Sequence, residues 1–97
     1  MIPQVQTVLR TAAEELGLSQ DDLMVQGLRR VLERRLCQVQ VEIFRITGQY
    51  GVSGVEEMEA RYRKGTLEEA HSWRDLQDLD HLEYKRDRLA QLLEALP

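Results

Sequence analysis

One apolar rhythm constrains this chain more than any other feature. Leu32, Leu36, Val39, Ile43 and Ile46 recur at spacings of 4, 3, 4 and 3. That puts all five on one stripe of an α-helix, with Cys37, Val41 and Phe44 forming a second stripe beside it. Gly27 is the only helix breaker between residues 20 and 47, and an isolated glycine inside a helix costs about 1 kcal/mol. The rhythm therefore favours one long helix. It would run from the Ser19 cap to the first glycine of Thr47-Gly48-Gln49-Tyr50-Gly51-Val52-Ser53-Gly54. A competing signal sits inside it. Val39-Gln40-Val41-Glu42-Ile43 alternates with period two and is rich in β-branched residues, as a half-buried strand is. From the sequence, residues 37–47 stay open between helix and strand.

The flanking segments are read by the same rules. Val5, Val8, Leu9, Ala12, Ala13 and Leu16 recur at helical spacing up to Gly17, which predicts a helix over residues 4–16 with a glycine stop. Ser19-Gln20-Asp21-Asp22 supplies a cap and two acids for the start of the long helix. Ser53-Gly54-Val55-Glu56 fits a capping box opening a short helix that ends at Gly65, and Thr66-Leu67-Glu68-Glu69 repeats the pattern before a last helix. There Leu76, Leu79, Leu82, Leu89, Leu93 and Leu96 form a stripe broken by Arg86. The expected fold is all-α: a helical hairpin or bundle with two long helices, spanning residues 1–97 as a single domain. A chain of 97 residues hides only about two-thirds of its unfolded surface. Homodimerisation is therefore expected to complete the core.

Charge and cysteine bound the function. Thirteen basic against seventeen acidic residues give −4, which disfavours unspecific attraction to nucleic acid or anionic lipid. Residues 1–50 are neutral, with six groups of each sign, and residues 51–97 carry seven basic and eleven acidic groups. The lone Cys37 permits neither an internal disulfide nor a CxxC metal pair, and it reads as a reduced, buried thiol. No apolar run approaches the roughly 18 residues of a membrane span, and the N-terminus does not look like a signal peptide. The expected location is cytoplasmic.

Few residues suggest chemistry. His71, Asp75, Asp78 and His81 share one side of the last helix, but bundle metal sites draw ligands from several helices. Their plain reading is a solvated face. Glycines 48, 51 and 54 do not form a phosphate-binding pattern and read as a turn. No catalytic, cofactor-binding or metal-binding residue is assigned. Arg29, Arg30, Arg34 and Arg35 make a basic cluster with Glu33 inside it. It reads first as a solvated helix face, and second as a nucleic-acid contact through Arg29, Arg30 and Arg34. Trp73, the only tryptophan, suits a core anchor before an interface anchor. Trp73, Asp75 and Tyr84 are the candidate partner-binding residues, set in an acidic half suited to a basic partner.

Residues Ala12 to Leu36 read Ala-Ala-Glu-Glu-Leu-Gly-Leu-Ser-Gln-Asp-Asp-Leu-Met-Val-Gln-Gly-Leu-Arg-Arg-Val-Leu-Glu-Arg-Arg-Leu. Further on come Tyr50-Gly51-Val52-Ser53, Glu56-Glu57-Met58-Glu59-Ala60-Arg61, Gly65, His71-Ser72-Trp73-Arg74-Asp75-Leu76 and Leu79-Asp80-His81-Leu82-Glu83. In this order the stretches resemble small helical antitoxin-like proteins encoded beside toxins in bacteria and archaea, over roughly two-thirds of the chain. The resemblance implies a non-enzymatic helical protein that dimerises and binds a cognate toxin, and it supplies no catalytic or metal-binding residues. Residues 1–36 also resemble a ribbon-helix-helix DNA-binding unit, with Ile2 to Gln6 as the strand, Thr7 to Leu16 as the first helix and Ser19 to Leu36 as the second. That alternative implies a DNA-binding regulator. It departs from the pattern because the strand offers only Gln4 and Gln6 to the groove, with Pro3 beside them.

Overall fold

The apolar stripe of residues 32–46 is helical throughout. A computed structural model describes residues 3–97, arranged as α1 (Pro3–Leu16), α2 (Gln20–Tyr50), α3 (Val55–Lys64) and α4 (Glu69–Ala95). Among the described residues there is no strand, so the period-two signal at Val39 to Ile43 does not decide the structure. The 4-3-4-3 stripe does, because Val39, Ile43 and Ile46 all point into the core.

The α1–α2 connection follows the sequence. Gly17 adopts a left-handed φ of 68°, and the Leu18 and Gly17 amides donate to the Ala13 and Glu14 carbonyls at 2.9 and 3.2 Å. This is the Schellman pattern that terminates helices. The Ser19 hydroxyl then accepts the Asp22 amide at 3.0 Å, capping α2.

Three expectations about the other helix ends are corrected. First, α2 runs past Gly48 to Tyr50, and Gly51 is the residue that turns left-handed, at φ 62°. Its amide and that of Val52 both reach the Thr47 carbonyl. Val52 is then buried, which gives the turn the apolar contact that favours this stop over one at Gly48. Second, Ser53 does not form a capping box with Glu56. Gly54 holds the cap position of α3, and Ser53 bonds Glu57 through both its amide (3.1 Å) and its hydroxyl (2.7 Å). Third, Thr66 does not cap α4, because its hydroxyl turns back to the Arg61 carbonyl at 3.3 Å. That leaves Glu68 at the cap position, with no side-chain bond capping the helix.

At 1.5 Å per residue, α2 with 31 residues is about 46 Å long and α4 with 27 about 40 Å. They pack antiparallel, and α3 folds over one end. The core sits there: Val39, Ile43 and Ile46 of α2, Val52, Met58 of α3, and Leu76 and Leu79 of α4 are buried together. Towards the C-terminus of α4 the stripe is only half-buried, at Leu82, Leu89, Leu93 and Leu96, since a helix with one neighbour covers one side only. The molecule measures 61 × 23 × 17 Å, with a radius of gyration of 19.7 Å. A compact domain of this length has about 12.5 Å.

The two glycines near the end of α2 have opposite demands. Gly48 lies in the helix interior, and a methyl group added there would meet nothing within 4 Å, so Gly48→Ala stabilises the fold by about 0.5–1 kcal/mol. Gly51→Ala costs about 1–2 kcal/mol, because a side chain there is forced into the left-handed region. Urea unfolding of the two variants should move the midpoint in opposite directions. A helix ending at Gly48 would give the reverse order.

Candidate interaction surface

Several polar residues of the α2–α3–α4 end hold it together. The last carbonyls of a helix lack intrahelical donors. Here the Arg61 guanidinium supplies two, donating from Nη1 to the Tyr50 carbonyl and from Nη2 to the Gly51 carbonyl, each at 2.8 Å. Nη2 also reaches Glu57 Oε1 at 3.3 Å. The Ser53 bonds, helped by the Arg61 charge, hold the Glu57 carboxyl below its ordinary value of 4.5. The Glu83 carboxylate of α4 accepts the Val55 amide at 3.1 Å, so a side chain from another helix caps α3. Gly54 makes room for it, since a Cβ there would meet Glu83 Oε2 at 2.6 Å.

Two further bonds join the helices, and a third lies within α4. Tyr50 donates its hydroxyl to Asp75 Oδ2, and that bond with burial pushes the phenol up to about 12. The Tyr62 and Ser72 hydroxyls lie 2.5 Å apart, and Ser72 bonds the Glu68 carbonyl at 2.8 Å. In this chain Tyr50, Ser53, Glu57, Arg61, Ser72, Asp75 and Glu83 are all engaged in bonds that hold the fold. Asp75, a candidate for partner binding, is half-buried and taken up by Tyr50.

The other candidates separate in space. Trp73 is 50% exposed, so it is not a core residue, and Tyr84 is 63% exposed. Eleven residues are three helical turns, so both project from one face of α4, with the exposed Asp80 and Asp87 between and beyond them. Arg29 is half-buried and donates to the Pro97 carbonyl at 3.0 Å, whereas Arg30 and Arg34 are exposed. Ile2 lies outside the described residues. Pro3 to Gln6, the rest of the would-be ribbon-helix-helix strand, are helical, which removes that layout. Cys37 is exposed rather than buried. It lies with Val41 and Phe44 on a stripe that α4 does not cover, Phe44 being 69% exposed. His71 pairs with Glu68 at 3.3 Å, and among the described residues no three His, Cys, Asp or Glu side chains group as a metal site.

Two open apolar hollows lie at the opposite end. One, of about 430 Å³, is lined by Gln4, Val5, Val8, Leu9, Ala12 and Leu23. The other, of about 610 Å³, lies between Asp21, Met24, Val25, Leu28 and Pro97. The α1 stripe was legible as helix periodicity, but its exposure was not, because periodicity reports a stripe and not what covers it. A family model described as "Uncharacterized protein MJ0235 family" matches residues 1–97.

The chain belongs to the MJ0235 family.

Comparison of this MJ0235-family chain with curated proteins and with solved structures gives no match. Among its described residues no helix is long and apolar enough to cross a membrane.

The lowered Glu57 carboxyl ties stability to pH with a definite sign. A carboxyl held low in the folded state stabilises it above the unfolded value, and that contribution disappears as pH falls through the lowered one. The melting temperature of the wild type should therefore fall more steeply below about pH 4.5 than that of Glu57→Gln. Melting curves by circular dichroism across the acid range check this.

Proposed function

We propose that this chain is a non-catalytic interaction protein, a dimer that binds a second protein in the manner of an antitoxin. One observation carries the reading: Trp73 and Tyr84 stand half or more exposed on one face of α4, beside Asp80 and Asp87, in the half of the chain that holds the whole net charge of −4. Large aromatic side chains give contact area at low entropic cost, and tryptophan and tyrosine dominate the energetics of protein interfaces. Surrounding acids favour a basic partner and speed encounter with it. The hydrogen-bonding side chains at the α2–α3–α4 end fit the same reading, since they are engaged in holding helices together. The resemblance to antitoxin-like proteins points to a cognate toxin as that partner.

Co-expression with the product of the neighbouring gene, followed by size exclusion with light scattering, tests this. The expected result is a heterocomplex that weakens as salt rises. The combined Trp73→Ala and Tyr84→Ala variant should lose at least about tenfold in affinity while keeping its helical signal. Failure to form a complex at low salt, or undiminished binding by the double variant, overturns the reading.

A further inference from the structure

We infer that the hollow midway along the rod, between α2 and α4, binds a single strand of nucleic acid, with phosphates held by Arg35, Lys85 and Arg88 and a base stacked on Tyr84. The fold gathers charge that the sequence keeps apart. α4 lies antiparallel on α2, with Arg29 meeting the Pro97 carbonyl at 3.0 Å, so residues 29–35 of α2 lie beside the second half of α4. Residues 29–35 hold four arginines, and residues 83–89 add Lys85, Arg86 and Arg88. Against these seven basic groups stand three acids, Glu33, Glu83 and Asp87. The belt therefore carries +4, in a chain whose other residues together carry −8. Two of its acids are also engaged: Glu83 accepts the Val55 amide at 3.1 Å, and Asp87 pairs with Arg86 at 3.0 Å.

Within the belt, Arg35 of α2 and Lys85 and Arg88 of α4 line one open hollow of about 250 Å³ together with Tyr84 and Leu89. None of the three cations forms an ion pair among the described residues. Arg88 spends Nη1 on Gln91 Oε1 at 3.2 Å, which leaves the rest of its fork. Like charges brought to one hollow repel one another, and an anion seated among them removes that repulsion. A guanidinium fork matches the oxygens of a phosphate, and the lysine adds a compact point charge.

The aromatic ring selects among phosphate-bearing ligands. Tyr84 is 63% exposed, which leaves its ring open to a planar base, and cations beside an exposed aromatic are the pairing that holds single strands. In a duplex the bases are stacked on one another and offer the ring no free face. Arg30 and Arg34 are exposed on the same stretch of α2 and extend the positive surface past the hollow, to neighbouring phosphates that a strand has and a free nucleotide lacks. The net charge of −4 disfavours attraction over the rest of the surface, which confines a strand to the belt. The site shares Tyr84 with the protein contact proposed above, but that contact does not depend on the three cations.

Fluorescence anisotropy of a labelled deoxythymidine strand of about ten nucleotides tests the assignment on the full chain. The logarithm of the binding constant should fall with the logarithm of salt concentration at a slope of about −2, as three phosphate contacts on a single strand require. Arg35→Gln, Lys85→Gln and Arg88→Gln combined should weaken binding at least about tenfold at low salt and flatten the slope. Tyr84→Leu should cost about fivefold or more and keep the slope. All four side chains are exposed, so far-UV circular dichroism should show the helices intact. Arg10→Gln, on α1 and outside the belt, should bind as the wild type does. No binding at low salt, undiminished binding by the combined variant, or an equal loss with Arg10→Gln overturns the site. Thymidine monophosphate competing as well as the strand, or a duplex binding as tightly, keeps a phosphate site and overturns its assignment to a single strand. Equal displacement by polyglutamate overturns the nucleic-acid assignment in favour of an acidic protein segment.

Discussion

The clamp of Arg61 on the Tyr50 and Gly51 carbonyls fixes where the chain reverses, and the rest of the molecule follows from that position. The final carbonyls of a long helix must find donors, and here one guanidinium satisfies two of them while tying the end of α2 to α3. With the reversal held there, α3 reaches α4 through Glu83 and α4 is laid antiparallel along α2. The length of α4 then decides that it ends opposite Arg29. Neither the core at one end nor the uncovered stripe at the other needs a separate cause.

The two ends differ in how they are stabilised. At the α3 end three helices share a small apolar core, and polar side chains bridge them. Other polar bonds at this end are local to one helix and the residues just before it: Glu57 with Ser53 and Arg61, Ser72 with Glu68. Such bonds lose little loop entropy on forming, which suits a chain too small to rely on buried area alone. At the α1 end Ala13 is the buried apolar side chain of α1 among the described residues, and Gln6 donates to Gln20 at 3.3 Å. Local capping forms that end; little packing holds it.

Much of the helix content was legible from residues alone. The 4-3-4-3 stripe of Leu32 to Ile46 outweighed the alternation at Val39 to Ile43 because the long stripe is satisfied by burial and the short alternation is not. Gly17, Ser19 and Gly65 marked true boundaries because each acts within a few residues. Gly48 misled because a glycine permits a stop without requiring one, and burial of Val52 selected Gly51. Ser53 and Thr66 matched capping boxes by spacing, but nearby acceptors, Glu57 and the Arg61 carbonyl, competed for their hydroxyls. Exposure was the hardest property to read. Cys37 and Trp73 have the composition of core residues, and which side of a helix faces a neighbour depends on contacts far along the chain. For the same reason Asp75 looked available for a partner, although Tyr50, 25 residues earlier, engages it.

Gly27 lies close to the point where α4 runs out, two residues before Arg29. On one side of it α2 is packed against α4 and α3; on the other it meets α1. A single continuous helix thus belongs to two neighbourhoods of unequal packing, with its most flexible residue near the border. Such a helix need not open as one unit. Backbone amides of residues 20–26 should exchange with solvent through local opening, and those of residues 39–47 only when the whole chain unfolds, so that α2 keeps two clocks along one ladder of hydrogen bonds.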